Sequence, residues 1–534
     1  MPHLIPRSLG IIAVLTGVMQ SAFAQQPPDI VNSDASRNTA VGTNALISDE
    51  PTALVNYVGP GNANTAVGDG ALNDNTSGQQ NIALGVGALA FNTTGQNNTA
   101  IGMYAMIANI TGSFNTATGT FALSGNTSGS DNTATGNQAL HLNTTGIDNV
   151  ATGSYSLSSN TSGNYNSAHG IGALQNNLTG DYNTATGSGA LTSNTTGSGN
   201  TADGNGALTQ NTTASNNSAL GVNALFYNTS GSYNTSVGDY ALSTNSTGSY
   251  NTGVGSQTPY SFASPPPLMT GSYNTSIGAL ALAVDTTGVN NTAFGYQALL
   301  SNTTGKGNAA QGTNALYSNT TGIRNLGIGS NALFNNNGSY NIALGFDAGY
   351  YVTTGSNNIE IGTPGTANDN NTIQIGVQGM QSSTTIAGIS GTQIMGSAVY
   401  VTATGQLGVQ GSSERFKTNI APMPAITAKL QQLRPVTFHY KTDPTGTPQY
   451  GLIAEEVDKI YPELVIRDEK GQIQGVRYEE LAPLLLSEMQ HERKEMAEKF
   501  DAQAAEIRDL KQLVVEMQAG LLKLSAKDEL VAQR

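Results

Sequence analysis

Small and apolar positions recur along most of this chain at one interval. Asn98, Asn115, Asn132, Asn149, Asn166, Asn183, Asn200, Asn217, Asn234 and Asn251 each open a unit, and the interval is 17 residues. The pattern is N-T-A-x-G-x-x-A-L-x-x-N-T-T-G-x-x, as in NTATGNQALHLNTTGID from Asn132 and NTAFGYQALLSNTTGKG from Asn291. Asn38, Asn64 and Asn81 extend it upstream. A six-residue insertion around Ser264-Pro265-Pro266-Pro267 separates Asn251 from Asn274, and the register then resumes through Asn291, Asn308 and Asn325. Shortened copies follow at Asn341 and Asn358. A fixed internal period of this kind predicts a solenoid.

The positions within a unit differ in what they tolerate. The third is small (Ala100, Ala117, Ala134, Ser236, Gly253), which places it against a close neighbour. The fourth varies freely (Ile101, Thr118, His169, Asp203, Phe294, Gln311), which places it outside. The fifth is Gly, as at Gly102, Gly119 and Gly136, where a bend or a close backbone approach is expected. The Ala-Leu pair, as at Ala139-Leu140, supplies one core Leu per unit. The N-T-T-G segment carries turn chemistry, because Asn bonds its own backbone and Gly supplies positive φ. Short alternating runs separated by turns predict two short strands per unit in a coiled sheet.

One unit cannot stand alone, because burying one Leu returns far less than ordering its backbone costs. Stacking must add ladder hydrogen bonds and a shared core, and association of chains is expected as well. With a rise near ~4.8 Å per coil, about nineteen coils make a rod of roughly 90 Å. Disorder is the rival reading, and the constant phase of the Leu and small positions argues against it.

Composition agrees with a repeat whose backbone does most of the bonding. The chain has 534 residues, of which 64 are Gly and only 10 % are charged, and it has no Cys or Trp. Without Cys there are no disulfides or thiolate metal sites. The net charge is −14, and Arg7, Arg37, Lys306 and Arg324 are the only basic side chains before Ser412. No basic stripe exists to neutralise phosphates, so nucleic acid is not an expected partner. At the N-terminus, His3 and Arg7 precede an apolar run from Leu9 to Met19 and then Ala22-Phe23-Ala24, which reads as a secretory signal cleaved after Ala24. No later stretch reaches the ~20 apolar residues a helix needs to span a bilayer.

The N-T/S-A-x-G units resemble the heads of trimeric autotransporter adhesins of the YadA type over about Asn38 to Asn371. That resemblance implies a trimeric left-handed parallel β-roll. The unit here is longer than the usual head repeat. The chain ends in a charged helix rather than in those adhesins' membrane β-barrel, so the resemblance does not carry surface anchoring with it. The recurring sequons, such as Asn92-Thr93-Thr94, match glycosylation acceptors, but Asn ladders and turns explain their recurrence better. His169 and Asp203 have no partners at ligand spacing and are read as exposed variation.

Composition changes at about Gly396. Gly411-Ser412-Ser413-Glu414-Arg415-Phe416-Lys417-Thr418-Asn419-Ile420 is followed by the blocks LRPVTFHY from Leu433, YGLIAEEV from Tyr450, YPELV from Tyr461 and VRYEEL from Val476. In order and wording these closely resemble the endosialidase-type intramolecular chaperone domain of phage tail spikes and fibres, over about Ser412 to Glu495. The resemblance implies a domain that helps three chains assemble a β-rich fibre and then cuts itself off. It makes Ser412 the nucleophile, Lys417 its general base and Gly411–Ser412 the bond cut. Arg415 matches the motif Arg, and Ser413 stands where the motif has Asp.

A Ser hydroxyl needs a base, and Lys serves where a partly buried site favours its free amine. From spacing alone, Ser412 and Lys417 equally suit a helix N-cap with a solvated Lys. His439 falls in an apparent strand, where it is expected to pack or bond locally. After Pro483 the sequence reads as helix. Leu486, Phe500, Ile507, Val514 and Leu521 recur at a positions, and Met489, Met496, Leu510, Met517 and Leu524 at d positions, which predicts a coiled coil. The resemblance makes it a stalk that helps hold three chains together.

The expected organisation is therefore a signal peptide (1–24), a linker (25–37), a repeat fibre (38–395), a strand-rich connector (396–411), a chaperone and autopeptidase domain (412–485) and a coiled coil (486–534). The fold class is mainly β: a parallel β-roll or solenoid, trimeric, then a small α+β domain and the coiled coil. The expected function is an exported, adhesin-like homotrimeric fibre at the cell surface or outside the cell. Its self-cleaving serine endopeptidase is expected to act once, in cis, with no external substrate. Its partners are other copies of itself and a surface ligand, and no cofactor or metal is expected. The alternatives are a non-cleaving adhesin with a permanent trimer clamp, and a phage-derived tail fibre.

Overall fold

A computed structural model describes residues 32–33, 37–42, 44–46, 63–258, 267–387, 398–402, 404–423, 427–443, 446–468 and 470–532. The expected signal peptide, its Ala24 cleavage site and most of the proline-rich insertion lie outside these residues. The chain divides into two compact units, residues 1–381 and 382–534.

The first unit is a parallel β-solenoid. Strand β1 (Asn32–Ser33) pairs antiparallel with β2 (Thr39–Val41). From β2 through β3 (Thr65–Val67) to β21 (Ile373–Ile375), each strand is parallel to the next. Registers place identical positions together, as in Ala100 against Ala117 and Ala117 against Ala134. The ladder of strands ends at β21.

The coil interior is built as the sequence reading expects. Ala134 at the third position and the pair Ala139-Leu140 are fully buried. Where the third position is Gly253, Leu242 fills the space: a Cβ added there would lie 2.6 Å from Leu242 Cγ. The variable fourth position points out, leaving Phe294 51 % exposed. The fifth-position Gly is needed because a Cβ on Gly102, at φ +133°, would lie 2.6 Å from the Gly119 carbonyl oxygen.

The expectation of two strands per coil is corrected, because each coil contains one, of three residues. The Ala-Leu segment instead runs through left-handed conformations, with Tyr104 at φ 57° and Met106 at φ 51°. The left-handed residues turn alternate peptide groups in opposite directions along the rod. Thus Tyr104 N–H donates to Val86 O in the preceding coil at 2.9 Å, while Met106 N–H donates to Ala122 O in the following coil at 2.9 Å. Inter-coil bonding continues without a strand. Left-handed Leu and Tyr are uncommon, and this packing holds them there.

Two buried Asn ladders run along the unit. Asn98 donates its backbone N–H to Asn81 Oδ1 at 3.0 Å and its amide to Gly112 O at 2.9 Å. The Asn of the N-T-T-G turn forms the second ladder: Asn92 Nδ2 donates to Asn75 Oδ1 at 2.8 Å. Asn92 is fully buried, so its sequon amide is committed to packing. Outside, in-register aromatics stack, with Tyr233, Tyr250 and Tyr273 at centroid spacings of 5.0 Å.

The insertion after Asn251 divides the apolar core into one cluster ending at Leu242 and another starting at Ala281. Asp285 takes the turn-Asn position just beyond it. Its Oδ1 accepts from Asn302 Nδ2 at 2.8 Å, while Oδ2 is buried without a partner. Burial pushes this carboxyl up to about 7, against the opposing hydrogen bond from Asn302.

The second unit is a small α+β assembly. A hairpin pairs β22 (Tyr400–Val401) with β23 (Leu407–Gly408). Two further antiparallel pairs are β24 (Val436–Phe438) with β25 (Gln449–Gly451), and β26 (Val465–Arg467) with β27 (Ile473–Val476). Helices α1 (Thr427–Leu430) and α2 (Ala454–Val457) are short. The core is Val457, Tyr461, Leu464, Val465 and Val476, with Leu433, Leu452, Leu481 and Leu484 packed against it.

Helix α3 (Tyr478–Ala532) starts five residues before Pro483, not after it. Pro483 therefore lies inside the helix, in its second turn, where it lacks the N–H that would reach back to the Glu479 carbonyl. Leu481 and Leu484 place the beginning of α3 in the small core, so the chaperone region and the long helix share one uninterrupted element. Further along, the heptad seam is uncovered: Phe500 is 66 % and Leu521 64 % exposed. No helix among the described residues is long and apolar enough to cross a membrane.

Candidate functional site

The end of the connector at Gly411 leads into a single 3-10 turn, Glu414–Phe416. Phe416 N–H donates to Ser413 O at 3.0 Å, and Lys417 N–H to Glu414 O at 2.9 Å. This turn folds residue 417 back over residue 412. Lys417 Nζ donates to Ser412 Oγ at 3.3 Å.

The turn also brings Phe416 onto Gly411. A Cβ at Gly411 would lie 3.1 Å from the Phe416 ring. Gly at this position therefore lets the ring approach the bond that precedes Ser412. The Arg415 guanidinium lies over the same ring, 4.6 Å from its centroid. Ser413 caps the turn by position but forms no side-chain capping bond. The N-cap reading thus falls on Ser413 rather than Ser412.

Ser412, Lys417 and Gly411 line a cleft with Met423, Leu464 and Pro483. Its acidic side chains are Glu463, Glu479 and Glu480. Glu480 also pairs with Arg477 at 3.3 Å. These carboxylates were not singled out from sequence, although Glu479 and Glu480 belong to the VRYEEL block. Their position depends on α3 beginning early, which brings its first turns to the cleft. Ser412 and Lys417 remain exposed. His439 lies exposed just past β24 and does not line the cleft, so it is not packed in the core.

The blocks are tied together locally. Tyr478 Oη, at the start of α3, accepts from Leu452 N–H at 2.7 Å. Arg434 of LRPVTFHY makes a bidentate pair with Glu456 of YGLIAEEV, at 3.1 and 2.6 Å. That pair lowers the Glu456 carboxyl, mainly by hydrogen bonding.

Residues 412–466 match the family described as "Chaperone of endosialidase". The second unit carries an endosialidase-chaperone domain. Its match begins at Ser412, the first residue of the Ser–Lys pair, and ends at Ile466, short of the VRYEEL block. A chaperone domain of this family after a long solenoid implies a trimeric, fibre-like protein with a self-cleaving C-terminal chaperone. No curated protein and no solved structure matches the chain. The YadA-type resemblance of the repeat therefore has no support beyond the repeat itself.

Proposed function

We propose that this chain is an exported homotrimeric fibre, adhesin-like in use, whose chaperone domain aids assembly and then releases itself by cutting Gly411–Ser412. The observation that carries the reading is the 3.3 Å contact between Lys417 Nζ and Ser412 Oγ, at the first residues of the family match. The repeat explains the need for assistance, since its coils are stable only when stacked.

The chemistry is a hydroxyl attack on the preceding carbonyl. Ser412 Oγ adds to the Gly411 carbonyl carbon as its proton passes to Lys417 Nζ. The C–N bond then breaks, and Lys417 returns the proton to the departing α-amine of Ser412. Water hydrolyses the resulting ester, leaving Gly411 as a carboxylate and Ser412 as a free N-terminus.

Lysine accepts a proton only as the free amine, a form that enclosure favours. In the single chain the pair is open to solvent, so burial by neighbouring chains is the activating step. Cutting would then follow assembly. The uncovered α3 seam supports association of chains.

Expression of the full chain followed by a denaturing gel tests this reading. Two fragments are expected, with the smaller beginning at Ser412, and Ser412→Ala or Lys417→Ala should leave one full-length band. A full-length wild-type band would reject cleavage and favour the second reading, a permanent trimer clamp. Ser413 in place of the motif Asp is the observation that favours that alternative.

A further inference from the structure

In every strand from Thr39–Val41 to Ile342–Leu344, the middle residue is Ala, Ser or Gly. The next strand, Ile359–Ile361, carries Glu360 there, fully buried. Neither carboxylate oxygen of Glu360 has a hydrogen-bond partner. A buried ionised carboxylate without a partner is too costly to stand unexplained.

The surrounding sequence departs from the repeat at the same point. The Ala-Leu pair is missing, and Thr363-Pro364-Gly365-Thr366 takes its place. Gly365 has φ +64°. A Cβ there would lie 3.2 Å from Asp369 Oδ2 and 3.3 Å from the Glu360 carboxyl carbon. The two carboxyls therefore face the same space, which glycine leaves open.

Asp369 is 8 % exposed and held in place by donors. Thr366 gives its N–H at 2.5 Å and its hydroxyl at 2.8 Å, and Gln374 gives its amide at 2.9 Å. The buried Thr363 hydroxyl accepts from Gly365 N–H at 3.4 Å. The oriented acid thus faces a second acid that has no donor of its own.

We propose that Glu360 and Asp369, across the gap left by Gly365, form a calcium-class cation site at the C-terminal end of the repeat array. Two carboxylates in one buried space must either share a proton or be offset by a cation. Oxygen donors without nitrogen or sulfur select a hard cation. Calcium accepts carboxylates, hydroxyls and carbonyls in irregular geometry, whereas magnesium demands a near-ideal octahedron. The site would replace the missing Leu with ionic cross-linking of the last coils.

Calorimetric titration of the chelator-stripped full chain with calcium chloride tests the assignment. Saturable binding of one calcium per chain is expected, lost in Glu360→Gln, at least tenfold weaker in Asp369→Asn and unchanged in the exposed control Asp203→Asn. Absence of saturable binding in the wild type, or wild-type affinity in Glu360→Gln, would overturn the proposal. If Glu360→Gln fails to fold by circular dichroism, Asp369→Asn and the wild-type titration decide the matter, and unchanged affinity in Asp369→Asn would equally overturn it.

Discussion

Asn81 Oδ1 accepts both the backbone N–H of Asn98, at 3.0 Å, and the Asn98 side-chain amide, at 3.1 Å. The same double acceptance recurs at Asn115 and Asn132, so one side chain serves two donors of the next coil. Replacing Asn132 with Ala removes that acceptor and strands the buried backbone N–H of Asn149, whereas Asn115 Oδ1 keeps the backbone N–H of residue 132. A loss of at least about 2 kcal/mol is expected from unmet buried bonds. Urea denaturation followed by circular dichroism should show it, whereas Asn137→Ala, at an exposed position, should change little.

Glycines at different positions of the coil should differ sharply in tolerance. A Cβ at Gly136, with φ +138°, would lie 2.5 Å from the Gly153 carbonyl oxygen. Gly136→Ala should cost about 3 kcal/mol or more, because backbone must move as well as adopt a strained φ. Gly70, at φ +66°, has nothing within 4 Å of an added Cβ. Gly70→Ala should cost only about 1 kcal/mol, and the two denaturation midpoints give the comparison.

Asp285 makes stability depend on pH. Its carboxyl is raised from 3.8 to about 7 by burial, so the unfolded chain ionises first as pH rises. Its contribution is fully present below the unfolded value and is lost as pH climbs through about 7. The penalty at alkaline pH is on the order of 4 kcal/mol. Asp285→Asn should flatten that part of the stability–pH curve and raise the melting temperature above pH 7.

Lys417→Arg separates charge from basicity. Arginine keeps the cation but does not give up its proton in proteins. The variant should assemble as the wild type does and show no cleavage on a denaturing gel. Cleavage at a wild-type rate would remove Lys417 from the role of base.

The α3 seam should control both assembly and cutting. Ile507 is 52 % and Val514 51 % exposed in the single chain. Ile507→Asp with Val514→Asp places charges along the a positions and should prevent association. Light scattering should then report the mass of one chain. The same variant should stay uncut if enclosure by neighbours activates Lys417.

What the sequence determined by itself was periodic or contiguous. A constant interval phases the Ala, Leu, Gly and Asn positions, and parallel stacking turns that phase directly into burial, so the solenoid and its core were legible from the repeat. The Ser412–Lys417 contact was also within reach, since one tight turn is enough to join residues five apart. What needed tertiary structure was set by neighbours. The Ala-Leu segment is no strand, because inter-coil bonds hold Tyr104 and Met106 at positive φ against their local preference. Glu463 and Glu479 meet at one cleft only because α3 begins at Tyr478, ahead of Pro483. Glu360 reads in sequence as one acid in a polar stretch, and its isolation follows only from the coil that closes over it.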